Sequence, residues 1–169
     1  MSKKTKQIAM LGLCTALAMV LAYVEILIQP LFPTIPGIKM GLPNVIIVFL
    51  LYRMGAGYAA GVSLLRIFLV SVLFGNSMAF MYSIAGGILS FLVMILLKRL
   101  NFMSAVGVSV AGGVTHNIGQ ILMAMLLLET AELGYYLVVL AVTGTIAGIL
   151  VGLCGSILIK KIPQKLFRA

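Results

Sequence analysis

The chain has 169 residues, of which 63% are hydrophobic and 9% charged, with a formal net charge of +9. A soluble domain carries about 25% charged residues, so this chain cannot clothe an apolar core in a polar surface, and its solvent is largely lipid. There is no Asp and only Glu25, Glu129 and Glu132 as acids, which excludes paired-carboxylate chemistry and Asp-held Mg²⁺, while basic residues placed at the ends of apolar runs exclude nucleic acid as a partner.

Lys3, Lys4 and Lys6 precede the first apolar run, Gln7–Ile28. Ala16-Leu17-Ala18 resembles a signal-peptide cleavage site, but a signal's apolar region is about 7–15 residues. The longer run predicts a retained helix over 7–28. Gln29 to Pro43 holds four prolines and two glycines, which forbid a continuous helix. A short second helix is expected over 38–52, kinked at Pro43. Arg53-Met54-Gly55 makes a turn into a helix over 56–74. Gly75-Asn76-Ser77 breaks the chain before a helix over 78–97, which Lys98-Arg99 ends. Helices over 104–128 and 133–159 follow, separated by the acidic turn Glu129–Glu132.

The chain is thus predicted to be all-α: a polytopic bundle of six transmembrane helices in a single integral membrane domain, 1–169. With the N-terminus inside, ten of the twelve basic residues fall on the cytoplasmic side. That positive-inside asymmetry places both termini in the cytoplasm and the protein in the cell membrane.

Cys14 and Cys154 lie inside apolar segments as small packing residues, with no metal spacing around them. Gly144, Gly148, Gly152 and Ser156 form a row on the last helix, and Gly112, Gly113 and Gly119 lie on the fifth. Gly12-xxx-Ala16 and Ala18-xxx-Ala22 lie on the first. In lipid such residues let helices approach closely, either within the bundle or, on the first helix, against another membrane protein.

Arg66 sits near the middle of the third helix, where an Arg costs about 2.5–3.5 kcal/mol to insert. It needs Glu25, backbone carbonyls or the anionic group of a ligand. His116, Asn117 and Gln120 are the densest polar cluster; His116 and Gln120 share a helix face, and Gly113 clears room beside it. They serve interhelical hydrogen bonds or a ligand. One His without clustered Cys cannot supply three zinc ligands. Lys39, Asn44 and Tyr82 fall near the outer surface. An outward pocket is expected under residues 30–43, lined by Arg66, Lys39, His116, Asn117 and Gln120, with Tyr23, Phe80 or Tyr82 available to stack on an aromatic ring.

Several segments together carry a resemblance. They are Ile35-Pro36-Gly37-Ile38-Lys39-Met40-Gly41-Leu42-Pro43-Asn44, Leu51-Tyr52-Arg53-Met54-Gly55, Ser83-Ile84-Ala85-Gly86-Gly87 and His116-Asn117-Ile118-Gly119-Gln120. The chain resembles the Gx transporter family, also known as heptaprenyl diphosphate synthase component I. That family is similar to the substrate-binding S-components of energy-coupling factor (ECF) vitamin transporters. The resemblance implies a six-helix bundle of S-component type with an outer pocket lidded by the first outer loop. The expected ligand-binding residues are Lys39, Asn44, Arg66, Tyr82, His116, Asn117 and Gln120, taking a small vitamin- or cofactor-like molecule.

It also implies a partner module of a membrane coupling protein and two cytoplasmic ATPases. That module would dock on an alanine-xxx-alanine pattern in the first helix, whose nearest matches are Gly12, Ala16, Ala18 and Ala22. No Walker sequence is present, so any ATP is hydrolysed by the partner, and the chain is expected to be neither an enzyme nor a cofactor carrier. The alternatives are an accessory role in prenyl diphosphate or menaquinone synthesis, or in a membrane redox assembly for extracellular electron transfer.

Overall fold

A computed structural model describes residues 2–28 and 41–163. Among them the chain forms six α-helices, and five are long and apolar enough to cross a membrane. α1 is Lys3–Ile28, α2 Asn44–Arg53, α3 Ala56–Phe74, α4 Ser77–Arg99, α5 Ala105–Leu128 and α6 Tyr136–Lys161. A 3₁₀ turn, Ala131–Tyr135, leads into α6.

Local chemistry sets the ends. Asn76 caps α4 by accepting the Ala79 N–H at 2.8 Å, and Ser104 caps α5 by accepting the Gly107 N–H at 3.3 Å. Gly55 turns α2 into α3 at φ +103, a conformation open mainly to glycine.

α2 departs from the expected span over 38–52. Residues 38–40 lie outside the described residues, and Gly41 to Pro43 form a turn rather than helix. Gly41 takes φ +69, and Pro43 then stands at the N-cap of a helix of ten residues. Ten residues rise about 15 Å, against a hydrocarbon core of about 30 Å. α2 is therefore a half-length helix, and it is enclosed rather than lipid-facing. Ile46 to Leu51 are all buried, and Cys14 and Ala18 of α1, Ala59 and Val62 of α3, Met94 of α4, Val108 of α5 and Val151 of α6 join them in one core cluster. Every long helix thus contributes to the packing around α2. A short helix that is apolar on all sides is stable only in such a setting.

One end of the bundle is basic. Arg53 donates to the Ile159 carbonyl and Lys98 to the Leu51 carbonyl, with the Lys98 ammonium 5.0 Å from the Tyr52 ring centre. Met10 and Leu11 of α1, like Leu158 and Ile159 of α6, pack against the core cluster around α2. The start of α1 and the end of α6 therefore lie at one end. The turns between α3 and α4 and between α5 and α6 lie at the other, hereafter the far end.

α5 is the central long helix, held on both sides by glycine contacts. A Cβ built on Gly119 would lie 2.8 Å from Gly86 Cα of α4. One on Gly113 would lie 2.6 Å from the Gly144 oxygen of α6, and one on Gly148 2.6 Å from Val110 Cα. These backbones touch, as lipid-embedded helices do when dispersion rather than water drives association. Outward faces carry large apolar side chains instead: Leu126 is 73% exposed and Val138 72%. Such a surface suits hydrocarbon surroundings and no aqueous one.

Candidate ligand-binding site

Two neighbouring chambers open in the far half of the bundle. The smaller has a volume of about 70 Å³ and a polar wall: Glu25 from α1, Asn44 from the start of α2, Arg66 and Ser71 from α3, Ser83 from α4 and His116 from α5. The larger has a volume of about 450 Å³ and runs toward the turns between α3 and α4 and between α5 and α6. Phe74, Met78, Ile121, Ala124, Leu133 and Leu140 make much of its wall, with Asn76, Tyr82, Gln120 and Tyr136 among the polar insertions. Ile26, Val70, Ser71 and Ser83 line both chambers, so the two share a wall.

The fold explains this placement. The Gly41–Pro43 turn starts α2 inside the bundle, beside Glu25 and short of the end of α1. Non-helical backbone at this depth is tolerated where it is buried in protein or lines a cavity. The Gly41 N–H donates to Glu25 Oε1 at 2.7 Å, which ties the turn to α1. The contact of Gly86 with α5 brings α4 against His116 and Gln120: a Cβ there would lie 2.6 Å from the His116 carbonyl oxygen and 2.8 Å from Gln120 Cγ. Glycine at 86 therefore lets both polar side chains sit at the chamber wall.

Glu25 and Arg66 both line the small chamber, and the carboxylate acts on the Arg66 charge. Two buried polar atoms nevertheless lack a hydrogen-bond partner in the vicinity of the chambers, Arg66 Nε and Gln120 Oε1. Gln120 as a whole is 7% exposed. Leaving such a group unsatisfied costs about 1–3 kcal/mol, so both atoms call for a partner from outside the fold.

Arg66, Asn44 and His116 of the expected site thus share the small chamber, and Tyr82 and Gln120 line the large one. Asn117 is engaged otherwise. It is buried, its Nδ2 donates to the Leu140 carbonyl at 2.7 Å, and it joins α5 to α6. Lys39 and the expected roof over residues 30–40 lie outside the described residues. Tyr23 is exposed and packs on Phe74, ring centres 5.0 Å apart. Sequence reasoning took Glu25 only as a partner for Arg66, whereas it is also a chamber wall. The signal was present, since a lone acid in an apolar span is expensive and needs a reason. Ser83 was marked by the Ser83–Gly87 segment of the resemblance, whereas Ser71 left no signal, because serines are common in membrane helices.

The Asn117 contact carries a prediction. Asn117→Ala is expected to lower stability by about 0.6–1.7 kcal/mol, the range of interhelical hydrogen bonds in membranes, and to leave ligand affinity unchanged. Thermal unfolding and ligand titration on the same preparation would check both. A loss of affinity at unchanged stability would move Asn117 into the site.

The model of one family matches residues 14–158, from the buried Cys14 of α1 almost to the end of α6. The chain belongs to the heptaprenyl diphosphate synthase component I family. The match contains every residue that lines the two chambers. No curated protein and no solved structure matches the chain. As a component I chain it combines a helical membrane bundle with a partly charged cavity. The four first-helix residues expected to dock a partner divide between two faces. Gly12 and Ala16 are exposed, and a Cβ on Gly12 would meet nothing within 4 Å. Ala18 and Ala22 are buried within the bundle, Ala18 at 0% exposure and Ala22 on the small chamber. Ala18 and Ala22 therefore pack inside the bundle, and Gly12 and Ala16 are the exposed members of the four.

Proposed function

We propose that this component I chain is the membrane-embedded binding subunit of an uptake system for a small vitamin- or cofactor-like molecule, energised by a separate ATPase module as S-components are. The observation that carries the reading is the pair of buried polar atoms without partners, Arg66 Nε and Gln120 Oε1, on residues lining the two neighbouring chambers. The chain binds and delivers, and performs no bond chemistry, because it holds no Asp and no phosphate loop. The deciding experiment is native mass spectrometry of the protein purified from its own membranes, with co-purified subunits identified. A retained small molecule together with ATPase subunits supports the reading. A protein devoid of small molecules and associated with prenyl transferase subunits overturns it. The second outcome is the accessory role that the family name favours.

Docking falls to the exposed face of α1. Ala16→Leu is expected to weaken co-purification of the coupling protein without lowering thermal stability. Ala18→Leu is expected to lower the stability of the isolated chain, because a leucine has no room in the α1–α2 contact; overpacking costs about 1–3 kcal/mol. Normal co-purification of the Ala16→Leu variant would place the docking surface elsewhere.

The basic end faces the cytoplasm in this reading. Topology reporters fused after residues 76 and 130 are expected to be active outside, and those after residues 100 and 169 inside. An external reporter signal at residue 100 would invert the site and remove uptake as its role.

A further inference from the structure

The two chambers differ in chemistry along a shared wall, and that difference specifies a ligand. Among the described residues that line the small chamber are Glu25, Asn44, Arg66, Ser71, Ser83 and His116. Its volume of about 70 Å³ equals a few waters, at about 10–15 Å³ of such space each. That is room for a head group and no more. The large chamber, at about 450 Å³, falls in the range of pockets that hold whole small molecules, roughly 300–1,000 Å³. Its wall is mostly hydrocarbon.

A wholly polar ligand would fill the large chamber at the expense of its own hydrogen bonds. A wholly apolar ligand would leave Arg66 buried with an unspent donor. Resting on the binding role above, we propose that the chambers are one site for an amphiphile: an oxyanion head lodges beside Arg66, and an apolar body fills the large chamber.

Three further observations support the assignment. Arg66 is a permanent cation with five donors, and its Nε finds no partner. Glu25, the carboxylate that acts on it, already accepts the Gly41 N–H. An oxyanion accepts from the Arg66 donor that the chamber wall leaves unspent. Gln120 Oε1, on the large chamber, accepts from an O–H or N–H on the ligand body. Finally, the large chamber's lining includes the exposed apolar side chains of Phe74, Met78 and Leu128 near the far end. The apolar chamber therefore runs out to the apolar flank of the bundle, and the ligand enters along the membrane interface rather than straight from bulk water.

The test uses dodecanoate, dodecanol and acetate as probes on the full chain in lipid nanodiscs, read by native mass spectrometry. At equal mole fraction in the bilayer, dodecanoate is expected to occupy the protein at least tenfold more tightly than dodecanol, one molecule per chain. At equal total concentration it is expected to bind at least tenfold more tightly than acetate. Arg66→Gln should abolish the preference over dodecanol, and Ala124→Phe, which fills the large chamber, should abolish the preference over acetate. Equal binding of dodecanoate and dodecanol, or of dodecanoate and acetate, overturns the proposal on the unmodified chain alone, whether or not the variants fold. A purified protein that retains a wholly water-soluble molecule also overturns it and leaves the binding role standing. A protein that retains nothing and binds no probe removes both.

Discussion

Leucine at Gly148 is expected to abolish the folded bundle. A single Cβ at that position would already lie 2.6 Å from Val110 Cα and 3.0 Å from the Ser109 oxygen. Both are backbone atoms of α5, so no side chain can turn aside. α5 cannot retreat either, because its opposite side touches α4: a Cβ on Gly119 would lie 2.8 Å from Gly86 Cα. Even Gly148→Ala forces displacement, at the cost of about 1–3 kcal/mol typical of overpacking, and leucine adds three more carbons. Helix propensity works in the other direction, favouring leucine over glycine by nearly 1 kcal/mol, and is too small to compensate. The measurement is the fraction of monodisperse protein after detergent extraction, with Gly12→Leu as the control. Gly12 has open space around it and should gain from the substitution. A monodisperse Gly148→Leu variant with an unchanged unfolding midpoint would mean that α5 and α6 do not touch as described.

The same glycines show what could be read in advance. The row Gly144, Gly148, Gly152 marks a packing face because lipid gives helices no hydrophobic reason to associate. The five long helices follow from run length and from the basic residues that end the runs, both of which are local properties. α2 was harder. The Pro/Gly segment before it shows that its helix is short, but nothing in the apolar run itself shows that the half-helix is wrapped by protein. The enclosure comes from Cys14, Val62, Met94 and Val151, residues scattered across four other helices. The choice between Ala16 and Ala18 was illegible for a similar reason. Two positions apart on a helix, they point about 200° from one another, and only the position of α2 decides which one is buried.

The polar site divides in the same way. Arg66, His116 and Gln120 announced themselves through the cost of placing such groups in lipid. Their assignment to separate chambers did not, because it depends on where α2 begins. Asn117 looks identical in sequence to its neighbours in the cluster. It is used for packing because its direction around α5 meets the Leu140 carbonyl rather than the chambers.

Arg66→Gln is expected to weaken binding of the retained molecule by tenfold or more, equivalent to about 1.4 kcal/mol. The same substitution leaves Glu25 buried without the cation that acts on it. Removing one member of a buried charge pair typically costs about 3–5 kcal/mol of stability, so this variant should be both weaker in binding and less stable. Stability alone therefore cannot separate a structural Arg66 from a ligand-binding one, and the double variant Glu25→Gln/Arg66→Gln can. With both charges removed, the uncompensated carboxylate is gone and stability should return close to that of the unmodified chain. If Arg66 serves the ligand, affinity should stay low in the double variant. If Arg66 only balances Glu25, affinity should recover together with stability. Gln120→Leu gives an independent check, because it removes a buried oxygen that has no partner. Deleting such a group is close to neutral or stabilising for the fold, while a ligand that donates to it should bind more weakly. Recovered affinity in the double variant, with unchanged affinity in Gln120→Leu, would empty both chambers of function.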